Sequence, residues 1–244
     1  MESIYTYSMP VSFDKNDFFD GNVKPSAVLR IFQDVAVAHA NILGVGFDEM
    51  LKKNLLWVVL RIKYKVLSCP FQNEPLTVTT NPSAKTMLDF DRDFEVKNTS
   101  GKVLIQGTSK WCFIDSRTRR LAKLQIFDCL THFDREPLFA DKFLKSPTFE
   151  PTQSANFVYE VKKKDIDSNG HMNNKVYAKL VEKLLSQEQF DISFFQINYV
   201  KEAMFGDKIS VFKKANQDSF LVLGKLQGGE VSFFAELKSR KNCQ

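Results

Sequence analysis

The predicted order of helices and strands runs twice along this chain of 244 residues, and that repetition restricts the fold more than any other feature. In each half a strand precedes a long helix, and several strands follow the helix. Helices are predicted from Pro25 to about Leu43 and from Asn173 to about Gln187, because apolar side chains recur there at helical spacing. Strands are predicted over residues 6–13, 55–67, 76–80, 88–96 and 102–115, and again over 157–163, 192–201, 208–213, 219–226 and 231–238.

A less regular stretch that contains Pro137, Pro147 and Pro151 separates the two halves. A structureless loop of that length is uncommon inside one compact domain, so we expect two modules joined by a linker. The expected division is residues 1–125, 126–155 and 156–244, with some helix near 140–144 inside the linker. A long helix against an antiparallel sheet in each half predicts an α+β fold.

The second helix follows a stretch in which acid, amide and imidazole side chains lie close together, from Asp165 to Asn174. The first N–H groups of a helix have no intrahelical acceptor, and Asn173 or Asn174 is suited to cap them. The remaining N–H groups and the positive end of the helix dipole suit a carbonyl oxygen that gains negative charge. A polar turn that only caps a helix gives the same pattern, so the residues alone leave both interpretations open.

Two motifs in the second half occur together. The pattern Asp-x-Asn-x-His-x-Asn-Asn-x-x-Tyr runs from Asp167 to Tyr177, and the segment Asn198-Tyr199-Val200-Lys201-Glu202-Ala203 follows it. Both resemble motifs of the acyl-carrier-protein thioesterases, the plant and bacterial enzymes that release fatty acids from acyl carrier protein. The resemblance implies a tandem (double) hotdog fold, in which two antiparallel sheets each wrap a central helix and pair as a pseudo-dimer. It also implies hydrolysis of fatty acyl-carrier-protein thioesters to free fatty acid, which ends fatty acid synthesis.

The resemblance implies a catalytic set of four polar residues, the last of them a glutamate at the end of a strand. The set is Asp167, Asn169, His171 and Glu202. Thioester hydrolysis needs a polarised carbonyl and an activated water, and we assign Glu202 as the general base. Asn169 and His171 are assigned to positioning the water or the carbonyl, and Asp167 to orienting its neighbours. Without the family, Glu202 is interpreted as a strand-end carboxylate paired with Lys201 or Lys208.

Contacts with the substrate are expected from Asn173, Asn174 and Trp57, the last as a wall of the acyl tunnel. Many plant members of the family carry a cysteine where this sequence has Ala203. An alanine side chain cannot act as a nucleophile, which favours direct attack by water over a covalent acyl-enzyme.

The two halves differ at the position of the polar motif. An ungapped shift of 148 residues places Asp165 on Asp17 and Val176 on Val28. The same shift places His171 on Val23, and Asp167 and Asn169 likewise fall on Phe19 and Gly21. The first half is therefore expected to keep the scaffold without the chemistry, and to supply surface and acyl cavity.

The composition limits the remaining classes. The four cysteines, Cys69, Cys112, Cys129 and Cys243, are scattered and are interpreted as free thiols in a reducing compartment. The three histidines lie far apart in sequence, so neither a metal site nor another cofactor is expected, and His39 is assigned a packing role. A net charge of +5 is too mild to indicate a nucleic acid. No apolar run is long enough to span a membrane, and no signal or transit segment is recognised, which favours a bacterial cytoplasmic protein, either a monomer or a homodimer.

Three alternatives stay open. The basic cluster, defined as Arg117, Arg119, Arg120 and Lys123, is interpreted as solvated surface, with contact to an acidic carrier protein as the competing interpretation. The chain is alternatively another hotdog enzyme, either a thioesterase acting on acyl-coenzyme A or a hydratase, and the Asp-x-Asn-x-His-x-Asn-Asn pattern with Glu202 argues against the hydratase. It is also alternatively an acyl-binding module without catalysis, against which the presence of all four polar residues argues.

Overall fold

The computed structural model describes residues 5–122, 136–147, 149–151, 154–167, 169–185, 191–216 and 219–240. The N-terminal module contains β1 (Tyr7–Val11), β2 (Phe18–Phe19), β3 (Asn22–Val23), α1 (Pro25–Ile42), α2 (Phe47–Lys52), β4 (Leu55–Val66), β5 (Leu76–Lys85), β6 (Asp89–Asn98), β7 (Val103–Asp115) and β8 (Leu121–Ala122). The C-terminal module contains β9 (Phe157–Glu160), α3 (Asn174–Leu185), β10 (Ile192–Tyr199), β11 (Lys208–Asn216), β12 (Ser219–Leu226) and β13 (Val231–Ser239). The duplicated order is confirmed, and the expected end of the second helix at Gln187 lies outside the described residues.

Apart from β2 and β3, which pair with each other, the strands form one continuous antiparallel sheet because the two modules join edge to edge. The strand order is β1-β5-β6-β7-β4-β10-β13-β12-β11-β9, with β8 paired to β7. The joint is the pairing of β4 with β10, which runs from Phe194 opposite Lys65 to Asn198 opposite Arg61. Each half of the sheet packs against its own helix, so the expected α+β double hotdog is confirmed, with its two sheets fused at this joint.

The two central helices share one apolar core. Val28, Phe32 and Val35 of α1 are buried in the same cluster as Leu180 and Val181 of α3. Pro25 opens α1 at a position where its missing N–H costs nothing. α3 also caps α1: the half-buried carboxylate of Glu182 on α3 accepts a 2.6 Å hydrogen bond from the N–H of Ser26 in the first turn of α1.

The segment 136–147 crosses the outer face of the sheet, and we call it the strap. The expected helix near 140–144 is wrong, because the described strap has no helix. Side chains of the sheet satisfy its backbone instead: the Leu138 N–H donates to the Asp93 carboxylate at 2.8 Å, and the Leu144 N–H donates to the Gln196 side chain at 3.2 Å. These bonds hold the strap in an irregular, extended path.

The strap covers the joint between the modules. Lys63 on β4 lies opposite Gln196 on β10 and is only 2% exposed. Its ammonium lies 4.9 Å and 4.7 Å from the ring centroids of Phe139 and Phe143 on the strap, and it donates to the carbonyl of Asp141. Burial lowers the pKa of Lys63, which is the expected result for a cation withdrawn from water.

We predict that Gly107→Ala destabilises the N-terminal module. A Cβ at Gly107 on β7 would lie 2.2 Å from the ring of Phe32 and 3.2 Å from the backbone oxygen of Lys63. The ring of Phe32 has little room to move, because it is stacked on Phe94 with centroids 4.3 Å apart. Overpacking of this kind costs about 1–3 kcal/mol, measurable by denaturant unfolding.

The matched control for this substitution is Gly228→Ala. The nearest atom to a Cβ there is an oxygen of Glu230 at 3.7 Å, and the backbone does not need positive φ. Its free energy of unfolding is expected to stay within about 0.5 kcal/mol of the parent, as for ordinary surface changes. Equal effects of the two substitutions would contradict the close approach of α1 to the sheet.

Candidate active site

The polar motif forms a tight turn between two short stretches of extended chain. Ile166 and Met172 pair as an isolated antiparallel bridge, and the Asp167 N–H donates to the His171 carbonyl at 2.8 Å. The Asp167 carboxylate accepts from the N–H groups of Asn169 at 2.8 Å and His171 at 3.4 Å. Gly170 closes the turn at φ +82°, a conformation that glycine adopts without strain. Asp167 therefore fixes the backbone from which Asn169 and His171 project.

The N-terminus of α3 offers fewer free N–H donors than the sequence predicted. The Met172 N–H donates to the carbonyl of Ala203 and the Asn173 N–H to that of Asp165, each at 2.8 Å. Asn173 is the N-cap, because its side-chain oxygen accepts from the Lys175 N–H at 3.1 Å. Asn174 is the first helical residue, and its N–H has no acceptor within the helix. The donor that remains for a substrate oxygen at this helix end is thus the Asn174 N–H.

Glu202 lies just beyond the C-terminal end of β10, and hydrogen bonds hold the backbone there in place. The N–H groups of Val200 and Lys201 both donate to the carbonyl of Ser232, and the Ala203 N–H donates to the hydroxyl of Tyr177 at 3.1 Å. These bonds fix the backbone on both sides of Glu202. The alternative pairing of Glu202 with Lys201 is not what the structure shows, because Lys201 binds Glu230 instead.

The Glu202 carboxylate contacts two basic groups. Nη2 of Arg119 lies 2.6 Å from both carboxylate oxygens, and Nε2 of His171 lies 3.1 Å from Oε2. The side chain of His171 is 15% exposed and that of Glu202 is 43% exposed, so the pair sits at the mouth of the site.

The contact distances constrain the histidine tautomer. Nη2 of Arg119 is 3.3 Å from Nε2 and 3.5 Å from Nδ1 of His171, which fits contact with the ring rather than one directed hydrogen bond. A guanidinium cannot accept and an ionised carboxylate cannot donate. The arrangement that satisfies Glu202 therefore has Nε2–H of His171 donating to its carboxylate.

A cavity of about 820 Å³ begins at these groups and continues into the N-terminal module. All seven residues predicted for catalysis or substrate contact line it: Trp57, Asp167, Asn169, His171, Asn173, Asn174 and Glu202. Its N-terminal walls come from α1, the Gly46–Phe47 corner and strands β4, β6 and β7. The structure therefore brings the predicted residues to one place, and both modules build it.

Aromatic rings form much of the cavity wall in the N-terminal module. The ring of Trp57 packs on Phe113 at 3.7 Å and on Phe90 at 5.1 Å between centroids. Its indole N–H donates to the carbonyl of Val45 at 2.7 Å, so the apolar face is what remains for a ligand. Trp111 also lines the cavity, and its indole N–H donates to Ser109.

A buried arginine in the cavity wall was not predicted. Arg92 is 3% exposed, and its guanidinium donates to Nδ1 of His39 at 2.9 Å and to the hydroxyl of Thr80 at 3.2 Å. Burial lowers the pKa of Arg92 to about 10. His39 is buried and stacked on Tyr7, so its assigned packing role holds but includes this polar contact. The sequence did contain one indication of this residue, because Arg92 interrupts the inward-facing apolar residues of β6.

One polar atom of the site has no partner in the described structure. The side-chain oxygen of Asn169 is buried and accepts no hydrogen bond. A buried acceptor left unpaired costs about 1–3 kcal/mol, so such atoms usually meet a water or a ligand. Because Asn169 lines the cavity, this oxygen is available to a molecule bound there.

Cys112 lines the cavity but is a poor nucleophile. Burial, together with the negative charges of Asp89 and Glu202, raises the pKa of its thiol to about 12. The thiol therefore stays protonated near neutral pH, and the thiolate is the reactive form. Ala203 is fully buried and does not line the cavity. Cys69 is half-buried with a raised pKa, and Cys129 and Cys243 lie outside the described residues.

The ungapped comparison of the halves needs one correction. The pair of Phe18 with Val23 in β2 and β3 corresponds to the bridge of Ile166 with Met172, so the second turn is one residue longer than the first. His171 therefore corresponds to Asn22, and its assignment to Val23 is wrong. The short first turn folds as a two-residue hairpin, with Asp20 at φ 45° and Gly21 at φ 78°.

The basic cluster is also corrected in part. Arg117 and Arg120 are exposed, as expected for solvated surface, and Lys123 lies outside the described residues. Arg119 instead reaches the site and contacts Glu202 and His171. The described residues hold no group of three or more His, Cys, Asp or Glu side chains placed to bind a metal ion. In the same part of the chain, no helix is long and apolar enough to cross a membrane.

Fold and site together define a double-hotdog protein with a histidine–carboxylate pair at the end of a central helix. The chain belongs to the acyl-ACP thioesterase family: the sequence model of the acyl-ACP thioesterase N-terminal domain matches residues 2–127, and that of the C-terminal domain matches residues 149–233.

Plant relatives match over part of their length. A chloroplastic acyl-[acyl-carrier-protein] hydrolase from Cuphea viscosissima is 28% identical over 184 residues, 70% of this chain and 45% of its own. A chloroplastic palmitoyl-acyl carrier protein thioesterase from Gossypium hirsutum is 30% identical over 171 residues, 65% of this chain and 41% of its own. This chain thus spans less than half the length of these two relatives.

Solved structures match over nearly the whole chain. An acyl-ACP thioesterase from Bacteroides thetaiotaomicron superposes with a TM-score of 0.87 and 25% identity, covering 97% of this chain and 98% of that one. A 12:0-ACP thioesterase from Umbellularia californica gives a TM-score of 0.86 at 22% identity and covers 98% of each chain. The second likeness shows the shared double-hotdog fold.

We predict that Cys112 resists alkylation in the folded protein. With its pKa raised to about 12, only about one thiol in 10,000 is ionised at pH 8. Peptide mapping after treatment with iodoacetamide at pH 8 is expected to show Cys112 unmodified. The same treatment in denaturant is the control and should alkylate all cysteines. Rapid labelling of native Cys112 would contradict the buried, protonated thiol.

Proposed function

We propose that this protein hydrolyses fatty acyl thioesters of acyl carrier protein, releasing free fatty acid and carrier protein. The observation that carries the proposal is the juxtaposition of the His171–Glu202 pair with the unpaired oxygen of Asn169, all at one cavity with aromatic walls. Membership of the acyl-ACP thioesterase family supports the same reaction.

The proposed chemistry is direct attack by water. The acyl chain enters the cavity, and the thioester carbonyl accepts a hydrogen bond from the Asn174 N–H at the positive end of α3. A water molecule donates one hydrogen bond to the free oxygen of Asn169 and one to Glu202. Glu202 takes a proton from the water as the water oxygen bonds to the carbonyl carbon. When the tetrahedral intermediate collapses, the C–S bond breaks and Glu202 returns that proton to the sulfur of the leaving thiol.

Each remaining polar residue has a supporting role in this scheme. His171 orients the Glu202 carboxylate through its Nε2–H, and Asp167 holds the turn that presents Asn169 and His171. Cys112 lines the cavity but is protonated at neutral pH, so it gives no support to a cysteine nucleophile.

The proposed substrates carry medium to long acyl chains. The cavity of about 820 Å³ has aromatic walls that include Trp57, Phe90 and Trp111. Each methylene group moved from water into such surroundings contributes about 0.8 kcal/mol, so chain length has a strong effect on binding. The free fatty acids that accumulate when the protein is expressed in a bacterial host report the preferred length.

We further propose that residues 156–244 carry the chemistry while residues 1–125 form most of the acyl cavity, with the linker at 126–155. The protein is proposed to act in the cytoplasm as a monomer or homodimer, with acyl carrier protein as its macromolecular partner. Free cysteines at Cys69 and Cys112 are compatible with a reducing compartment.

The first prediction from this reaction scheme concerns the general base. Glu202→Gln keeps the size of the side chain, but it replaces one acceptor oxygen by an NH2 donor and cannot take a proton. It is expected to lower kcat by about 100- to 10,000-fold. Cys112→Ser is the control inside the same cavity and is expected to remain within about threefold of the parent, since no step needs the thiolate. An active Glu202→Gln together with an inactive Cys112→Ser would require a thiol nucleophile.

The second prediction concerns the groups that position the water and the Glu202 carboxylate. Asn169→Ala and His171→Ala are each expected to lower kcat by about 100-fold or more, because both remove polar groups from the reacting centre. Circular dichroism and the melting temperature check that each variant remains folded. Normal turnover by a folded Asn169→Ala would exclude its oxygen as the water acceptor.

The third prediction separates the carrier protein from coenzyme A. Palmitoyl-carrier protein is expected to give a higher kcat/KM than palmitoyl-coenzyme A, with Glu202→Gln as the blank in both assays. A preference for the coenzyme A thioester would identify a coenzyme A thioesterase. Tight binding of palmitate with no turnover of either thioester would identify an acyl-binding module.

A further inference from the structure

Arg119 reaches the site from the opposite module. It follows β7 in the N-terminal module, whereas Glu202 and His171 belong to the C-terminal module. Its Nη2 lies 2.6 Å from both oxygens of Glu202 and 3.3 Å from Nε2 of His171. Its side chain is 35% exposed, so it stays partly accessible to solvent while it contacts the site.

The backbone at Arg119 is held in an unfavourable conformation. Its φ is +59°, in the left-handed region that favours glycine, asparagine and aspartate. The other non-glycine residues with positive φ in the described part of the chain are Asp20, Asn54 and Asn73, so arginine is the unusual type. Strain of this kind persists only where surrounding contacts enforce it, and it occurs frequently at functional sites.

The turn before Arg119 supplies those contacts. The carboxylate of Asp115 accepts from the N–H groups of Arg117 at 3.0 Å and Thr118 at 2.7 Å. The Arg119 N–H donates to the Asp115 carbonyl at 2.9 Å, and the Asp115 N–H donates to the Arg120 carbonyl at 2.8 Å. The hydrogen bonds from Thr118, and then that from the Arg117 N–H, lower the pKa of the Asp115 carboxyl group, so it is ionised at neutral pH and accepts the bonds that close the turn. The turn thus fixes the direction in which Arg119 leaves the sheet.

We propose that Arg119 is a positioning residue that holds the Glu202 carboxylate beside His171 from the opposite module. Glu202 is 43% exposed and follows the end of its strand, so its side chain would otherwise sample several rotamers. Contact of one guanidinium nitrogen with both oxygens selects a single rotamer, in which Oε2 also meets His171. The active centre is therefore composite, and the C-terminal module alone does not complete it. This inference rests on the proposed role of Glu202 as general base.

The test replaces Arg119 by glycine, which adopts φ +59° freely. Loss of a hydrogen bond to a charged group predicts a fall in kcat of about 10- to 150-fold, with KM for palmitoyl-carrier protein changed by less than about threefold. Arg117→Ala removes the same charge from the same turn and is the matched control, expected to retain the parent kcat. Arg119→Lys keeps the positive charge but not the planar guanidinium, so its kcat is expected to lie between those of Arg119→Gly and Arg117→Ala.

Stability and chemical rescue separate positioning from a structural role. Arg119→Gly is expected to unfold at the same or a higher denaturant concentration than the parent, because glycine relieves the left-handed strain. Guanidinium at millimolar concentration should restore part of its kcat, while urea, a neutral planar molecule of similar shape, should not. A structural role would instead give a less stable variant that neither molecule rescues.

A double-mutant cycle tests whether Arg119 acts through Glu202. In the Glu202→Gln background, Arg119→Gly is expected to lower kcat by less than about threefold, since the carboxylate it positions is already absent. Full additivity would overturn the proposal, as would parent-like kcat for Arg119→Gly. A rise in kcat would also overturn it, because Arg119 would then restrain the base. A parent protein that hydrolyses neither palmitoyl thioester would instead refute the proposed function.

Discussion

The pairing of β4 with β10 is the interaction on which the site depends. β7 and β10 lie on either side of β4 and both run antiparallel to it, so they are parallel to each other. Their C-terminal ends therefore lie side by side, beyond the start of β4. Arg119 follows the end of β7 and Glu202 follows the end of β10, which brings together residues that lie 83 positions apart. The Met172 N–H donates to the carbonyl of Ala203 next to these strand ends, so the start of α3 lies beside them as well. The strap reinforces this joint because it is hydrogen-bonded to Gln196 on one module and covers Lys63 on the other.

Sequence patterns identified the parts of this structure that depend on local rules. The 3.6-residue period located both central helices, and alternation located the strands, because burial of one face imposes those periods. Long-range contacts escaped the same reasoning. The strap is irregular because Asp93 and Gln196, distant in sequence, satisfy its backbone, and no local signal reports that. The ungapped alignment of the two halves is wrong by one residue after the polar turn, because the second turn is one residue longer and the periodic helix pattern does not reveal that extra residue.

The candidate site shows the same division. Asp167, Asn169 and His171 belong to one turn, so a motif of fixed spacing finds them, and Glu202 was found through a second motif. Arg119 could not be found this way, because its relation to Glu202 is created by strand pairing and a strained turn. Arg92 left a weak signal as a charged residue among inward-facing apolar ones. The site also retains costly features, an unpaired oxygen at Asn169 and positive φ at Arg119, which a chain selected for stability alone would lose.

The shorter first turn has a consequence for how the chain can change over time. A symmetric dimer of identical hotdog subunits encodes both of its sites in one gene segment, so every substitution in a site appears in both of them. Here the hairpin of Phe18 to Val23 lacks the aspartate, asparagine and histidine set of the second turn, and most cavity walls come from the N-terminal module. Substitutions in that module can reshape the volume offered to a ligand while the turn from Asp167 to His171 stays constant. In this chain the shape of the cavity and the composition of the polar turn are therefore separately inheritable traits.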